Sequence, residues 1–174
     1  MVPEERAYTQ QGGGYPVSIF PTKILLATDG SQEAQQAARA AGELSKTTGS
    51  EVHIAYVLHS LLAEIGGHHL YSEGEARSVL DRAEGEARSF LEDEAARVGA
   101  SGGKVAETHL RTGQPDKEIV RLSEELGVGT IVIGSRGLGA VRRALMGGIS
   151  ESVVRHAHCP VFVVRGQDGA ASRD

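Results

Sequence analysis

Short apolar runs alternate with longer segments of helical periodicity, and this alternation limits the fold more than any other feature of the chain. Strands are predicted at 23–28, 51–58, 104–111, 130–133 and 161–164. Helices are predicted at 31–48, 74–98, 115–126 and 149–157. Because nearly all-apolar strands are separated by helices, the pattern predicts an α/β fold in which an open parallel sheet carries helices on both faces.

The chain of 174 residues is short enough for a single domain, which is predicted at 22–165. Residues 1–21 contain three consecutive glycines and no apolar run of the length that an export signal needs, so they are predicted to be a disordered tail. Residues 166–174 are predicted to be a second disordered tail.

Composition and residue spacing disfavour several classes of function. The formal net charge of −5 disfavours a general nucleic-acid binder, which needs a concentrated Lys and Arg surface. No segment has the roughly 18 to 20 apolar residues that cross a bilayer, so no membrane partner is expected. Cys159 is the single cysteine, which favours a cytoplasmic location and a buried, structural thiol. His68 and His69 have no Cys or acidic partner at ligand spacing, so no metal site is predicted.

Two segments with unusual chemistry, 27–31 and 134–150, follow predicted strands. Ligands of open parallel sheets bind at the carboxyl ends of strands, where the strand order reverses. Gly134, Gly137 and Gly147 would let the backbone approach a ligand closely, and N–H groups at the following helix start attract phosphate. The spacing suggests an anion cradle, and it leaves open the alternative that the glycines only form turns.

The same glycines resemble the signature of a known family. The order is Gly134, two residues, Gly137, nine residues and Gly147, followed by CPVFVV at 159–164. This segment looks like the nucleotide-binding signature and last strand of the ATP-binding universal stress proteins. Several motifs in the same order make the resemblance more specific than the glycines alone.

Two further motifs extend the resemblance toward the N-terminus. ILLATDGS at 24–31 is similar to the first strand and turn of that family, and GQP at 113–115 is similar to its motif before the third helix. The resemblance covers about 23–165. It implies a Rossmann-like, flavodoxin-like α/β fold with a doubly wound sheet of five strands in the order 3-2-1-4-5.

The resemblance also implies an ATP site, with Mg²⁺ accompanying the triphosphate. Its residues here would be Ala27, Thr28, Asp29, Val57, Ile133, Gly134, Arg136, Gly137, Gly147, Gly148, Ile149 and Ser150. Asp29 would contact the ribose region, and the backbone at Val57 would meet adenine. Gly134 and Gly137 would lie against ribose and phosphates, and residues 147–150 would wrap the terminal phosphates. The alternative for Asp29 is a purely structural turn acid or helix cap.

This chain departs from the family signature at Gly148, where Ser or Thr is usual. Losing a hydroxyl hydrogen bond of about 1 kcal/mol would weaken nucleotide binding several-fold, and Ser150 could compensate. Arg136, Arg142 and Arg143 fall in the predicted loop, where a phosphate-steering role and simple solvation are both open.

The resemblance implies a homodimer that pairs through the last strand, Val161 to Val164, whose uncharged edge would otherwise be bare. The leading hypothesis is an ATP-binding regulatory dimer with slow or no hydrolysis, since no nucleophile and base occur in a recognised order. One alternative is a nucleotide-independent dimeric adaptor, which Gly148 favours. Another is a weak ATPase or self-phosphorylating protein that uses Ser135, Ser150 or Ser152.

Overall fold

The computed structural model of the protein describes residues 20–59, 73–138 and 146–166. These residues form β1 (Lys23–Ala27), α1 (Gln32–Thr48), β2 (Glu51–His59), α2 (Glu73–Ala100), β3 (Lys104–Gly113), α3 (Pro115–Leu126), β4 (Thr130–Gly134), α4 (Gly148–His156) and β5 (Val161–Val164). Every predicted strand and helix is present, with ends that differ by at most two residues. The predicted tails at 1–21 and 166–174 lie almost wholly outside the described residues.

The five strands form one parallel sheet in the order β3-β2-β1-β4-β5, which confirms the predicted fold. The order reverses beside the central strand β1, which pairs with β2 on one side and β4 on the other. Ala27, the last residue of β1, lies opposite Ala55 of β2 and Ile133 of β4. The carboxyl ends of these strands therefore border the crevice in which open α/β sheets bind ligands.

Alternate residues of the central strand belong to two separate cores. Ile24 and Leu26 pack with residues of α1 and α2, whereas Leu25 and Ala27 pack with residues of α3 and α4. Full burial of a Leu or Ile side chain contributes about 1.5–3 kcal/mol relative to exposure. Burial on both sides explains the continuous apolar sequence of β1 and confirms that helices cover both faces.

Helix α1 begins where the sequence predicts. The Ser31 side-chain oxygen accepts a hydrogen bond from the Ala34 N–H at 3.2 Å, which makes Ser31 the N-cap. Ala37, Ala38 and Ala41 are fully buried against the sheet. Their small side chains let the helix lie close to the strands, which positions its first turn beside the end of β4.

The two edge strands differ in character. Strand β3 exposes Lys104 and Glu107, so the expectation of nearly all-apolar strands does not hold for it. Strand β5 pairs with β4 only, and Phe162 on it is 55% exposed. None of the helices in the described parts of the chain combines the length and apolar character needed to cross a bilayer.

Candidate functional site

A cavity of about 600 Å³ opens at the carboxyl ends of β1, β2 and β4 and at the start of α4. Its volume lies within the usual range for small-molecule sites. All twelve positions that the resemblance implies for a nucleotide line this cavity. The described lining also includes Ala34, His59, Pro115, Ile119 and Leu138. The structure brings the predicted residues together in one place, and their contact with nucleotide stays a prediction.

Asp29 holds the turn after β1 against the segment that follows β4. One carboxylate oxygen, Oδ1, accepts the Ser31 N–H at 3.0 Å, and the other, Oδ2, accepts the Leu138 N–H at 3.0 Å. A Cβ atom added at Gly137 would lie 2.4 Å from Oδ2, so only glycine allows this approach. Asp29 thus has the structural role that the sequence left open. A carboxylate has about four acceptor sites, so a ligand contact is compatible with it.

The start of α4 directs toward the cavity N–H groups that have no acceptor among the described residues. The first hydrogen bond within this helix runs from the Glu151 N–H to the Gly147 carbonyl at 2.9 Å. The N–H groups of Gly148, Ile149 and Ser150 precede it, and the N-cap Gly147 has no side chain to accept them. Such a helix start carries a partial positive charge and binds anions.

The Ser150 hydroxyl does not face this helix start. It donates a hydrogen bond of 2.8 Å to the Gly134 carbonyl, and Ser150 is only 3% exposed. The expected compensation for the missing hydroxyl at Gly148 is therefore not available, because the hydroxyl hydrogen already has an acceptor. What Ser150 offers to a ligand is its backbone N–H.

The Arg136 side chain forms an ion pair, so it is not the solvated loop side chain that the sequence left open. Its Nη2 lies 2.8 Å from Oε1 of Glu33, and the two side chains are 16% and 13% exposed. The Arg136 carbonyl also accepts a hydrogen bond from the Ser31 hydroxyl at 3.3 Å. These contacts fasten the end of β4 to the start of α1. Arg142 and Arg143 lie outside the described residues.

A buried carboxylate lies behind the cavity wall. Thr28, which lines the cavity, donates its hydroxyl hydrogen to Oε2 of Glu94 at 3.2 Å. Glu94 is fully buried, and its Oε1 lies 2.6 Å from Nη1 of Arg97. Burial raises the pKa of the Glu94 carboxyl, and the positive charge of Arg97 opposes the shift. Sequence reasoning missed this link between the cavity and α2.

Another part of the cavity lining is apolar. Ala27, Val57 and Ile133 come from three adjacent strands, and Pro115 and Ile119 come from the start of α3. Apolar walls with a few polar groups are typical of small-molecule and cofactor sites. Pro115 and Ile119 were not predicted, although α3 begins directly after a strand of the same sheet. That proximity was the available signal.

Comparison with known proteins identifies one family. A model described as the universal stress protein family matches residues 21–165. A putative universal stress protein of Staphylococcus haemolyticus is 35% identical over 154 residues, which cover 83% of this chain and 85% of the relative. Universal stress protein YxiE of Bacillus subtilis is 32% identical over 146 residues, which cover 82% of this chain and 98% of the relative.

Solved structures share the fold. Universal stress protein UspA from Lactobacillus plantarum has a TM-score of 0.72 at 23% identity and covers 84% of this chain and 99% of its own. A universal stress protein in complex with cAMP has a TM-score of 0.60 at 21% identity, with coverage of 84% and 98%. A universal stress protein from Archaeoglobus fulgidus in complex with dAMP has a TM-score of 0.56 at 21% identity. The match covers 84% of this chain and 98% of that protein.

Proposed function

Because this chain belongs to the universal stress protein family, we propose that its cavity binds an adenine nucleotide, and ATP in particular. The observation that carries the proposal is the assembly of all twelve predicted positions around one cavity that includes an uncapped helix start. Two proteins of the same fold were solved with cAMP and dAMP, which are both adenine nucleotides. These ligands make adenine the first base to test.

In the proposed complex the phosphates lie at the start of α4. The N–H groups of Gly148, Ile149 and Ser150 donate hydrogen bonds to them, and the helix dipole favours their negative charge. The base packs on the apolar part of the lining around Val57. Asp29 contributes a free acceptor position to the ribose hydroxyls.

The lining supplies little for ATP hydrolysis. Asp29 is the only carboxylate among the lining residues that the structure describes, and both of its oxygens already accept backbone N–H groups. Mg²⁺ would therefore be held mainly by the phosphates, as is usual for this ion, with Asp29 as the carboxylate that the described lining offers. Arg136 is engaged with Glu33. We expect hydrolysis to be slow or absent.

The serines considered for self-phosphorylation are poorly placed to accept a phosphoryl group. Ser135 is 2% exposed, and the buried Ser150 donates its hydroxyl hydrogen to Gly134. Ser152 donates its hydroxyl hydrogen to Oδ2 of Asp116 at 2.7 Å, but it is not among the described residues that line the cavity. The burial of Ser135 and Ser150 and the position of Ser152 outside the cavity lining favour nucleotide binding over a transferase activity.

A regulatory role fits a site built from several separate segments. A bound nucleotide would link the turn after β1 to the segment after β4 and to α4, and so stabilise one arrangement of them. The proposed homodimer pairs through β5, where the exposed Phe162 would be covered. Such a dimer would present a nucleotide-dependent surface to partners in the cytoplasm.

Two measurements test the binding proposal. Nucleotide released by denaturing freshly purified protein is identified by mass spectrometry. The emptied protein is then titrated in a calorimeter with ATP, GTP, adenosine and tripolyphosphate. Tighter binding of ATP than of GTP would support the apolar base pocket, and tighter binding of ATP than of adenosine would support the phosphate cradle. ATP turnover by the same preparation tests the expected slow hydrolysis.

No heat of binding at roughly millimolar ATP would refute the proposal, since that concentration detects free energies as weak as about −4 kcal/mol. The nucleotide-independent adaptor would then be favoured, because Gly148 lacks the hydroxyl that is usual at this position. Rapid turnover would instead contradict the expectation of slow hydrolysis and leave the binding site intact.

A further inference from the structure

A bulge between β2 and the edge strand β3 determines which side chains share a face of the sheet. Val52 lies opposite Val105, but the next residue, His53, lies opposite Glu107, so β3 contributes one extra residue at this point. Because side chains alternate along a strand, the bulge puts Glu107 and His109 on the same face as His53. In a regular ladder both would point to the other face.

Packing on the opposite face confirms this change of alternation. Val105 and Leu110 both pack against the core that contains residues of α1 and α2. They are an odd number of positions apart, so a regular strand would send them to opposite faces. Bulges often re-aim side chains at functional sites. This one brings together two imidazoles and a carboxylate.

The three side chains already have the spacing of metal ligands. Nδ1 of His53 lies 3.1 Å from Nε2 of His109, which is 3.9 Å from Oε2 of Glu107. One ligand atom from each lies within 4.8 Å of the others. Two nitrogens bound to one tetrahedral zinc ion at about 2.0–2.1 Å are about 3.3 Å apart. The observed nitrogen separation is close to this value.

Two positively charged side chains lie near the histidines, and their contacts bear on whether a metal cation can bind there. Lys23 and Arg111 both act electrostatically on the histidines. The Lys23 ammonium, however, donates to the Leu126 carbonyl at 3.1 Å, and Arg111 pairs with Glu125. Glu125 therefore offsets the charge of Arg111, the contact with Leu126 fixes the position of the Lys23 ammonium, and the carboxylate of Glu107 lies beside the imidazoles.

The protonation state of the two imidazoles and the exposure of the cluster both allow an ion to bind. Burial lowers the pKa of His53 and of His109, which favours the neutral imidazole, the form that ligates metal. The Glu107 side chain is 65% exposed, and that of His109 is 12% exposed. An ion can enter from the Glu107 side, and water can complete its coordination.

We propose that His53, Glu107 and His109 form a binding site for a divalent transition metal, and we take Zn²⁺, which two His and one Glu bind in known zinc sites, as the ion to test. The site is separate from the nucleotide cavity, because His53 precedes the cavity residue Val57 by four residues on the same strand, about 13 Å away. A bound ion would join the edge strand β3 to β2. The metal is therefore distinct from any Mg²⁺ that accompanies ATP.

A missing hydrogen bond at His53 limits the expected affinity for the metal. Nε2 of His53 is buried without a hydrogen-bond partner among the described residues. Metal binding at Nδ1 places the ring proton on Nε2, where nothing accepts it, and outer-shell partners usually improve metal affinity by about 10–100-fold. We therefore expect Zn²⁺ to bind more weakly than at closed structural zinc sites. The expected stoichiometry is one zinc ion per chain.

The test uses the full chain without an affinity tag, stripped by a chelator and kept free of nucleotide. Zn²⁺ is titrated against a competing metal indicator, and Co²⁺ is titrated for its visible absorption. The ligand variants are Glu107→Gln, which changes an exposed side chain and spares the fold, and His109→Gln. The matched controls are His158→Gln and the double variant His68→Gln/His69→Gln, since these histidines are alternative zinc ligands. His68 and His69 lie outside the described residues.

The proposal expects one Zn²⁺ per chain in the parent and in both controls. Glu107→Gln and His109→Gln should each bind at least about tenfold more weakly, on the scale of losses at metal sites. Co²⁺ should give tetrahedral absorption in the parent, and this absorption should be lost in Glu107→Gln. No stoichiometric binding, or binding that Glu107→Gln leaves unchanged, would overturn the proposal. Binding lost only in the controls would also overturn it.

Discussion

Replacing Gly148 by Asp should affect stability and nucleotide binding in opposite directions. Gly148 is the first residue of α4 and lines the cavity, and a Cβ atom built there meets no heavy atom of the described residues within 4 Å. A carboxylate in the first turn of a helix stabilises it by about 0.3–1 kcal/mol. The Gly148→Asp variant should therefore fold at least as stably as the parent.

The same carboxylate should repel a triphosphate bound at this helix start. Two unit charges separated by about 6 Å, at an effective dielectric constant of about 20, repel each other by about 2.8 kcal/mol. This energy corresponds to roughly a hundredfold loss of affinity. Adenosine carries no phosphate, so its binding should change little.

Calorimetric titration with ATP and thermal unfolding of the same variant separate the two effects. Gly85→Asp is the matched control, because Gly85 lies exposed on α2 and a Cβ atom there also meets nothing within 4 Å. That variant should bind ATP as the parent does. If Gly148→Asp kept the parent's affinity for ATP, the triphosphate would not lie at the start of α4, and the proposed orientation of the nucleotide would be refuted.

Three further predictions follow from single contacts. Gly148→Ser supplies the hydroxyl usual in the family and should tighten ATP binding about fivefold by calorimetry, equivalent to about 1 kcal/mol; no change would mean that no phosphate is in reach. The pKa of Glu94 is raised by burial, so its stabilising contribution is present below pH 4.5 and is lost as pH rises through the folded pKa. Urea unfolding should show Glu94→Gln gaining stability relative to the parent between pH 4.5 and 7, and a constant difference would contradict this. Cys159 is half-buried, and this burial raises the pKa of its thiol, so a thiol reagent should label the folded chain more slowly than the unfolded chain; equal rates would contradict this.

The fold was predictable because each apolar run is short and each helical pattern is bounded by clear signals. Ser31 and Pro115 mark helix starts in the sequence, and both occupy those positions in the structure. The arrangement of the nucleotide-site residues could be anticipated only through the family resemblance. Glycine spacing alone did not distinguish a ligand cradle from ordinary turns.

Other features depend on contacts between distant segments. Glu94 lies on the same helix face as Leu91 and Val98, which was a signal that it is buried, but its charge favoured a solvated position. Its burial depends on Thr28 and Arg97 as partners. The bulge in β3 has no marker in the residue pattern, so the meeting of two histidines with a glutamate could not be predicted.

The glycines that line the cavity differ in their physical roles. A Cβ atom at Gly134 would lie 2.9 Å from the Glu33 carbonyl carbon, and one at Gly137 would meet Asp29. Substitution at either position would therefore disturb the fold whether or not a nucleotide binds. Gly148 instead lines the cavity, and a Cβ atom there meets no heavy atom of the described residues within 4 Å, so its substitution reports on the ligand. Loss of binding in a Gly137 variant would not establish a phosphate contact, whereas loss in a stably folded Gly148 variant would.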